Sequence, residues 1–163
     1  MKAKLNLSLV LFLTFMTSSL LASNQSPHQA RLVGSWELES FLIHRGEENV
    51  EFCSGAHGLI LYEESGMMSV SINCAPKGEV EEPADKQNRI LFYAGNFSIH
   101  GNEVVHTITN ASNLSLIGQE ITRTVSELTS SRLVLSGKLG GTGELFDIAW
   151  NRVGANFRPV DFQ

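Results

Sequence analysis

Between Ser35 and Arg152 the apolar residues fall in short alternating runs, and polar or glycine-containing stretches interrupt them at roughly regular intervals. Eight runs read as strands: Ser35–His44, His57–Tyr62, Met68–Asn73, Arg89–Ile99, Glu103–Thr109, Gln119–Glu127, Arg132–Gly137 and Glu144–Arg152. Only Pro27–Leu32 reads as a helical turn. The connections include Glu64-Ser65-Gly66, Gly101-Asn102, Thr129-Ser130-Ser131 and Gly140-Gly141-Thr142-Gly143, residue types that reverse the chain tightly. The pattern predicts an all-β fold. Eight antiparallel strands with one apolar face can close as an up-and-down β-barrel, which leaves no free edge; a two-sheet sandwich is the alternative.

Strand phase follows from the turns, because residues facing one another across a hairpin point to the same side. A two- or four-residue loop around Glu64-Ser65 puts Leu59 and Leu61 on the core face with Met68, Val70 and Ile72. A two-residue Gly101-Asn102 turn groups Leu91, Tyr93, Gly95, Phe97 and Ile99 with Val104, His106 and Ile108, turning His106 inward opposite Phe97. A three-residue loop with a bulge would turn Val105 and Thr107 inward instead. Cys53 and Cys74 flank the Leu59–Ile72 hairpin with the odd index sum expected for its facing pairs, so a disulfide is predicted, worth roughly 3 kcal/mol by chain entropy. Two free buried thiols are the alternative.

At 163 residues, 42% hydrophobic and 18% charged, the chain holds one ordinary domain. Its 12 basic residues against 17 acidic ones give a formal charge of −5, with no cationic surplus for nucleic acid. Lys2 and Lys4, the apolar run Leu5–Met16 and the small residues up to Ser23 have the order of a secretory signal peptide, with cleavage expected after Ala22 or Ser23. An uncleaved anchor is the rival, but the apolar core is shorter than the roughly 20 residues that span a bilayer. The expected division is therefore 1–23 signal peptide and 24–163 barrel domain. Without Lys2 and Lys4 the charge becomes −7, and no membrane span is expected in the mature chain. A periplasmic or extracellular destination is oxidising and favours the cysteine pair. The run Glu79–Asp85 reads as a solvated acidic loop.

Gly34-Ser35-Trp36 opening the first strand and Trp150-Asn151-Arg152 closing the last resemble the lipocalin (calycin) superfamily signature. Several further stretches are similar to the bacterial lipocalin-like domain family: Leu32 to Leu38, Gly58 to Tyr62, Gly66 to Ser69, Tyr93-Ala94-Gly95, Gly101 to His106, and Asn113 to Gly118. The resemblance spans about Leu32 to Val153. It implies a small barrel whose tryptophan, Trp36, plugs the closed end while Arg152 packs across it, and for most members it implies no established reaction. The chain departs from the family pattern in its leader, in its two cysteines, and in carrying Asn113 to Gly118 where a Pro and a Trp are common.

His106 and Arg123 are the polar residues on otherwise apolar strand faces, Arg123 lying between Ile121 and Val125. A buried guanidinium requires an acceptor. One reading is a lumen in which Arg123 and His106, with Tyr93 nearby, orient the polar end of a small apolar or amphipathic ligand held by Phe97, Met68, Val70 and Leu61. The other places the Arg123 head in water at the barrel mouth and makes His106 a satisfied core histidine. The alternatives in function are an inhibitor or partner-binding module that works through its rim, and a pocket isomerase or cyclase with His106 as base. No hydrolase elbow, zincin pair or phosphate-binding loop occurs, a zinc set cannot be assembled around Cys53, Cys74 and His57, and no cofactor is called for.

Overall fold

The computed structural model describes residues 31–53, 55–74 and 90–154. The segment 1–23 expected to be a signal peptide, the acidic run 79–85 and Arg89 lie outside the described residues. Nine strands occur among those described: β1 (Gly34–Arg45), β2 (Glu48–Glu51), β3 (His57–Tyr62), β4 (Met67–Asn73), β5 (Ile90–His100), β6 (Glu103–Ala111), β7 (Glu120–Leu128), β8 (Arg132–Lys138) and β9 (Leu145–Arg152). Every pairing is antiparallel, and β1 pairs with β9, so β1 and β3 to β9 close an eight-stranded up-and-down barrel. No described helix is long and apolar enough to cross a membrane.

The ninth strand was not anticipated. β2 turns back on the far half of β1 through Gly46, whose φ is 64°, and pairs Leu42 with Glu51 and Arg45 with Glu48. Glu48-Asn49-Val50-Glu51 carries no apolar face, so nothing in its alternation marks a strand; backbone pairing alone makes it one.

The β5–β6 hairpin has the two-residue turn, with His100 opposite Glu103 and Phe97 opposite His106. His106 is accordingly buried, only 1% exposed. The β3–β4 hairpin corrects the expected phase. Gly66 takes φ 86° and Glu63 pairs with Met67 around a three-residue loop, so Tyr62 faces Met68 and Ile60 faces Val70. A one-residue change in loop length moves a strand's whole side-chain set to the other face. Ile60 and Tyr62 are buried, whereas Leu59 and Leu61 are exposed on the outer wall. Leu61 is therefore not a lumenal residue.

The Cys53–Cys74 disulfide is present, with Cα atoms 5.5 Å apart, and joins the segment after β2 to the end of β4. In the observed register His57 pairs with Asn73, so Cys53 and Cys74 are not facing strand positions, and the disulfide joins the chain just outside that end of the hairpin.

One end of the barrel is solid. Trp36 is fully buried, its Nε1–H donates to the Leu32 carbonyl at 2.9 Å, and the Arg152 guanidinium lies 4.0 Å above its ring. Trp36 and Arg152 are register partners across the β1–β9 seam. Gly34 explains its place in the motif: its φ is 139°, and a Cβ there would collide with Arg152 Nη1. A bulge between Leu38 and Ser40 then re-phases β1, so that Phe41 and Ile43 take over the inward face.

Candidate functional site

Beyond the plugged end, the barrel encloses a cavity of about 490 Å³. Apolar side chains from most strands line it, among them Phe41, Ile60, Ile72, Leu135, Phe146 and Ile148, while Phe52, Leu116 and Leu139 belong to its loop end. Of the residues expected at the site, Arg123, His106, Tyr93 and Val70 line this cavity. Phe97 and Met68 do not. Both are buried and inward, but Phe97 packs edge-on to Tyr62 with ring centroids 4.9 Å apart, and Met68 is the register partner of Tyr62, so they fill the solid part of the barrel.

Arg123 owes its place to a glycine. Gly137 on β8 stands between Arg123 on β7 and Phe146 on β9, and a Cβ at Gly137 would come within 2.7 Å of Phe146 Cζ and 3.3 Å of Arg123 Cδ. With no side chain on the middle strand, Arg123 reaches across it and sets its guanidinium 4.9 Å from the Phe146 ring centre. Its Nη1 donates to the Thr122 carbonyl at 3.1 Å, and the guanidinium also interacts with the Tyr93 hydroxyl. Among the described residues no carboxylate pairs with it. Burial holds its pKa below the ordinary guanidinium value, with the two tyrosines Tyr93 and Tyr62 opposing that shift. It remains a cation at any physiological pH.

Beside it lies a closed polar cluster that the sequence half revealed. Tyr62 Oη is 2.8 Å from His106 Nε2, and Tyr93 Oη is 3.1 Å from His106 Nδ1. All three side chains are buried. Burial first, and the Arg123 charge second, push the His106 pKa from 6.5 down to about 3, so the ring is neutral. Burial raises both tyrosines, that of Tyr62 strongly. Tyr62 was missed because the β3 phase error pointed it outward; the glycine at position 66 was the available signal.

No group of described His, Cys, Asp and Glu residues could hold a metal ion. The outer wall carries its own polar chain, in which His44 Nδ1 meets Asn49 Oδ1 at 2.6 Å, His44 Nε2 meets Asp147 Oδ2 at 3.0 Å, and Ser136 donates to the other oxygen of Asp147. Each member has its partner within the chain, so this cluster asks for no ligand. Near the cavity mouth, Leu114 and Ile117 flank the lining residue Leu116 and are exposed.

A comparison with curated proteins found no match. Among solved structures, the chain is similar to a lipocalin-like protein from Bacteroides uniformis, at 18% identity and TM-score 0.46 over 76% of this chain and 99% of that one. It is also similar to an uncharacterized protein from Bacteroides eggerthii, at 15% identity and TM-score 0.45 over 75% and 99%. A redesigned β barrel gives 12% identity and TM-score 0.47 over 77% and 95%. These are distant likenesses, and the assignment rests instead on the family model of the lipocalin-like domain, which matches residues 33–153. That span runs from the residue before β1 to the residue after Arg152, and the chain belongs to the lipocalin-like domain family.

Proposed function

We propose that the protein is an exported barrel that holds a small apolar or amphipathic molecule in its lumen. The observation that carries this reading is Arg123: a partly buried guanidinium on the wall of a cavity of about 490 Å³, with no carboxylate partner among the described residues. Removing a cation from water costs several kcal/mol unless acceptors replace the lost hydration, and one backbone carbonyl with one hydroxyl leaves most of its five donors unused. An acceptor-bearing head group from a ligand would complete the set, with the tail among Phe146, Ile148, Leu135 and Ile60. Export is supported by the signal-like leader and by the disulfide.

The site gives little support to a pocket isomerase with His106 as base. Both ring nitrogens already face tyrosine hydroxyls, and a pKa of about 3 leaves the imidazole a poor proton acceptor near neutrality. A rim that binds a partner draws on the exposed Leu114 and Ile117, but it gives no account of Arg123. Native mass spectrometry of protein purified from its own host tests the proposal. The expected result is a bound small-molecule mass that organic extraction releases; an unliganded mass, together with no uptake of fluorescent fatty acids, would contradict it.

A further inference from the structure

We propose that Tyr62, His106 and Tyr93 form a one-way hydrogen-bond relay that holds the Tyr93 hydroxyl as a donor toward the lumen, where it and Arg123 together select an anionic head group. This rests on the lumenal-binding reading above and adds a positioning role for two residues that the ligand need not touch.

The direction follows from counting donors. A neutral imidazole offers one N–H and one bare nitrogen, and among the described residues each nitrogen has a single partner, a tyrosine oxygen. Two arrangements exist. In one, Tyr93 donates to Nδ1 and Nε2–H donates to Tyr62. The Tyr62 proton is then stranded, because Tyr62 is 1% exposed and has no other hydrogen-bond partner among the described residues. A buried donor left unsatisfied keeps the full penalty of its lost hydration. In the other, Tyr62 donates to Nε2 and Nδ1–H donates to the Tyr93 oxygen. Tyr62 is then satisfied, and the spare proton belongs to Tyr93, which lines the cavity while Tyr62 does not.

Arg123 fits this arrangement, although its contact with Tyr93 exists in either one. The guanidinium has donors only, so its interaction with Tyr93 uses the phenol oxygen as acceptor. With Nδ1–H and Arg123 both directed at that oxygen, the Tyr93 proton turns to whatever occupies the lumen. The wall thus presents a hydroxyl donor beside a cation that has no carboxylate partner among the described residues, which suits a head group that accepts without donating. A carboxylate on an apolar tail has that chemistry.

The test uses the full-length mature protein at neutral pH and two fluorescent probes, a long-chain fatty acid and a hydrocarbon that bears the same fluorophore without a head group. Nitrogen-15 NMR of labelled wild-type protein should place the His106 proton on Nδ1. Tyr93→Phe should bind the fatty acid about tenfold more weakly, as expected for a lost hydrogen bond to a charged group, with the hydrocarbon unaffected. Tyr62→Phe frees the imidazole tautomer and should lower fatty-acid affinity by about threefold without touching the lumen. A proton on Nε2 in the wild type, or fatty-acid affinity unchanged by Tyr62→Phe, overturns the relay. Wild-type protein that takes up neither probe overturns the lumenal reading and the ligand half of this proposal, while the position of the proton still reports on the relay by itself.

Discussion

Two arginines meet aromatic rings inside this barrel, and they differ in what their remaining donors do. Arg152 stacks 4.0 Å over Trp36 and donates to three backbone carbonyls, those of Ser130 at 2.8 Å, Val33 at 2.9 Å and Arg31. Among the described residues, Arg123 stacks 4.9 Å from Phe146 and finds one carbonyl, on Thr122, besides the Tyr93 hydroxyl. The first ties β1, the segment before it and the β7–β8 turn into one closed end. The second leaves donors over and faces a cavity. Saturation by the chain's own backbone marks a structural cation, and incomplete saturation beside open volume marks one that serves binding.

The plugged end should dominate stability. Trp36→Ala removes a fully buried indole together with the seat of Arg152, and urea denaturation should show a loss of about 3–5 kcal/mol. A variant as stable as the parent would break the assignment of this end as the closure.

The polar cluster should appear next, as acid sensitivity. The folded pKa of His106, about 3, lies below its ordinary 6.5, so the unfolded chain binds a proton that the folded one refuses. The stabilising contribution is complete above pH 6.5 and is lost as the pH falls toward 3, at about 1.4 kcal/mol per pH unit. His106→Gln should remove that slope when unfolding free energies are compared between pH 6 and pH 4, a range set by the same linkage. Equal slopes in the two proteins would place His106 in contact with water.

Gly137→Ala sharpens the comparison at the other arginine. The new methyl would press on Phe146 Cζ at 2.7 Å and on Arg123 Cδ at 3.3 Å, costing about 1–3 kcal/mol and moving the guanidinium off its ring. Differential scanning calorimetry and fatty-acid titration should both register it. Loss of stability without any loss of uptake would detach Arg123 from the site.

The sequence carried these features unevenly, for physical reasons that particular residues show. Gly101-Asn102 admits the tight two-residue turn, so the phases of β5 and β6, and with them the inward direction of Tyr93 and His106, were legible. Glu64-Ser65-Gly66 was read without the extra residue that a glycine at positive φ allows, and that single step concealed Ile60 and Tyr62 and misplaced Leu61. Bulges do similar harm at Leu38/Ser40 and Val125/Glu127, where alternation is interrupted with no distinctive residue to announce it. Arg123 stood out because a charge between Ile121 and Val125 breaks an apolar face. Its reach to Phe146 across Gly137 did not, since it depends on a register between three strands.

The contrast between the two arginines is tested most directly by replacing each with methionine and measuring melting temperature and fluorescent fatty-acid uptake on both proteins. Arg152→Met should melt well below the parent, because three carbonyls lose their donor. Arg123→Met should melt at or above the parent temperature, since a desolvation cost disappears, and should bind the fatty acid about tenfold more weakly. An Arg123→Met protein that is destabilised as severely as Arg152→Met and retains full uptake would contradict the account.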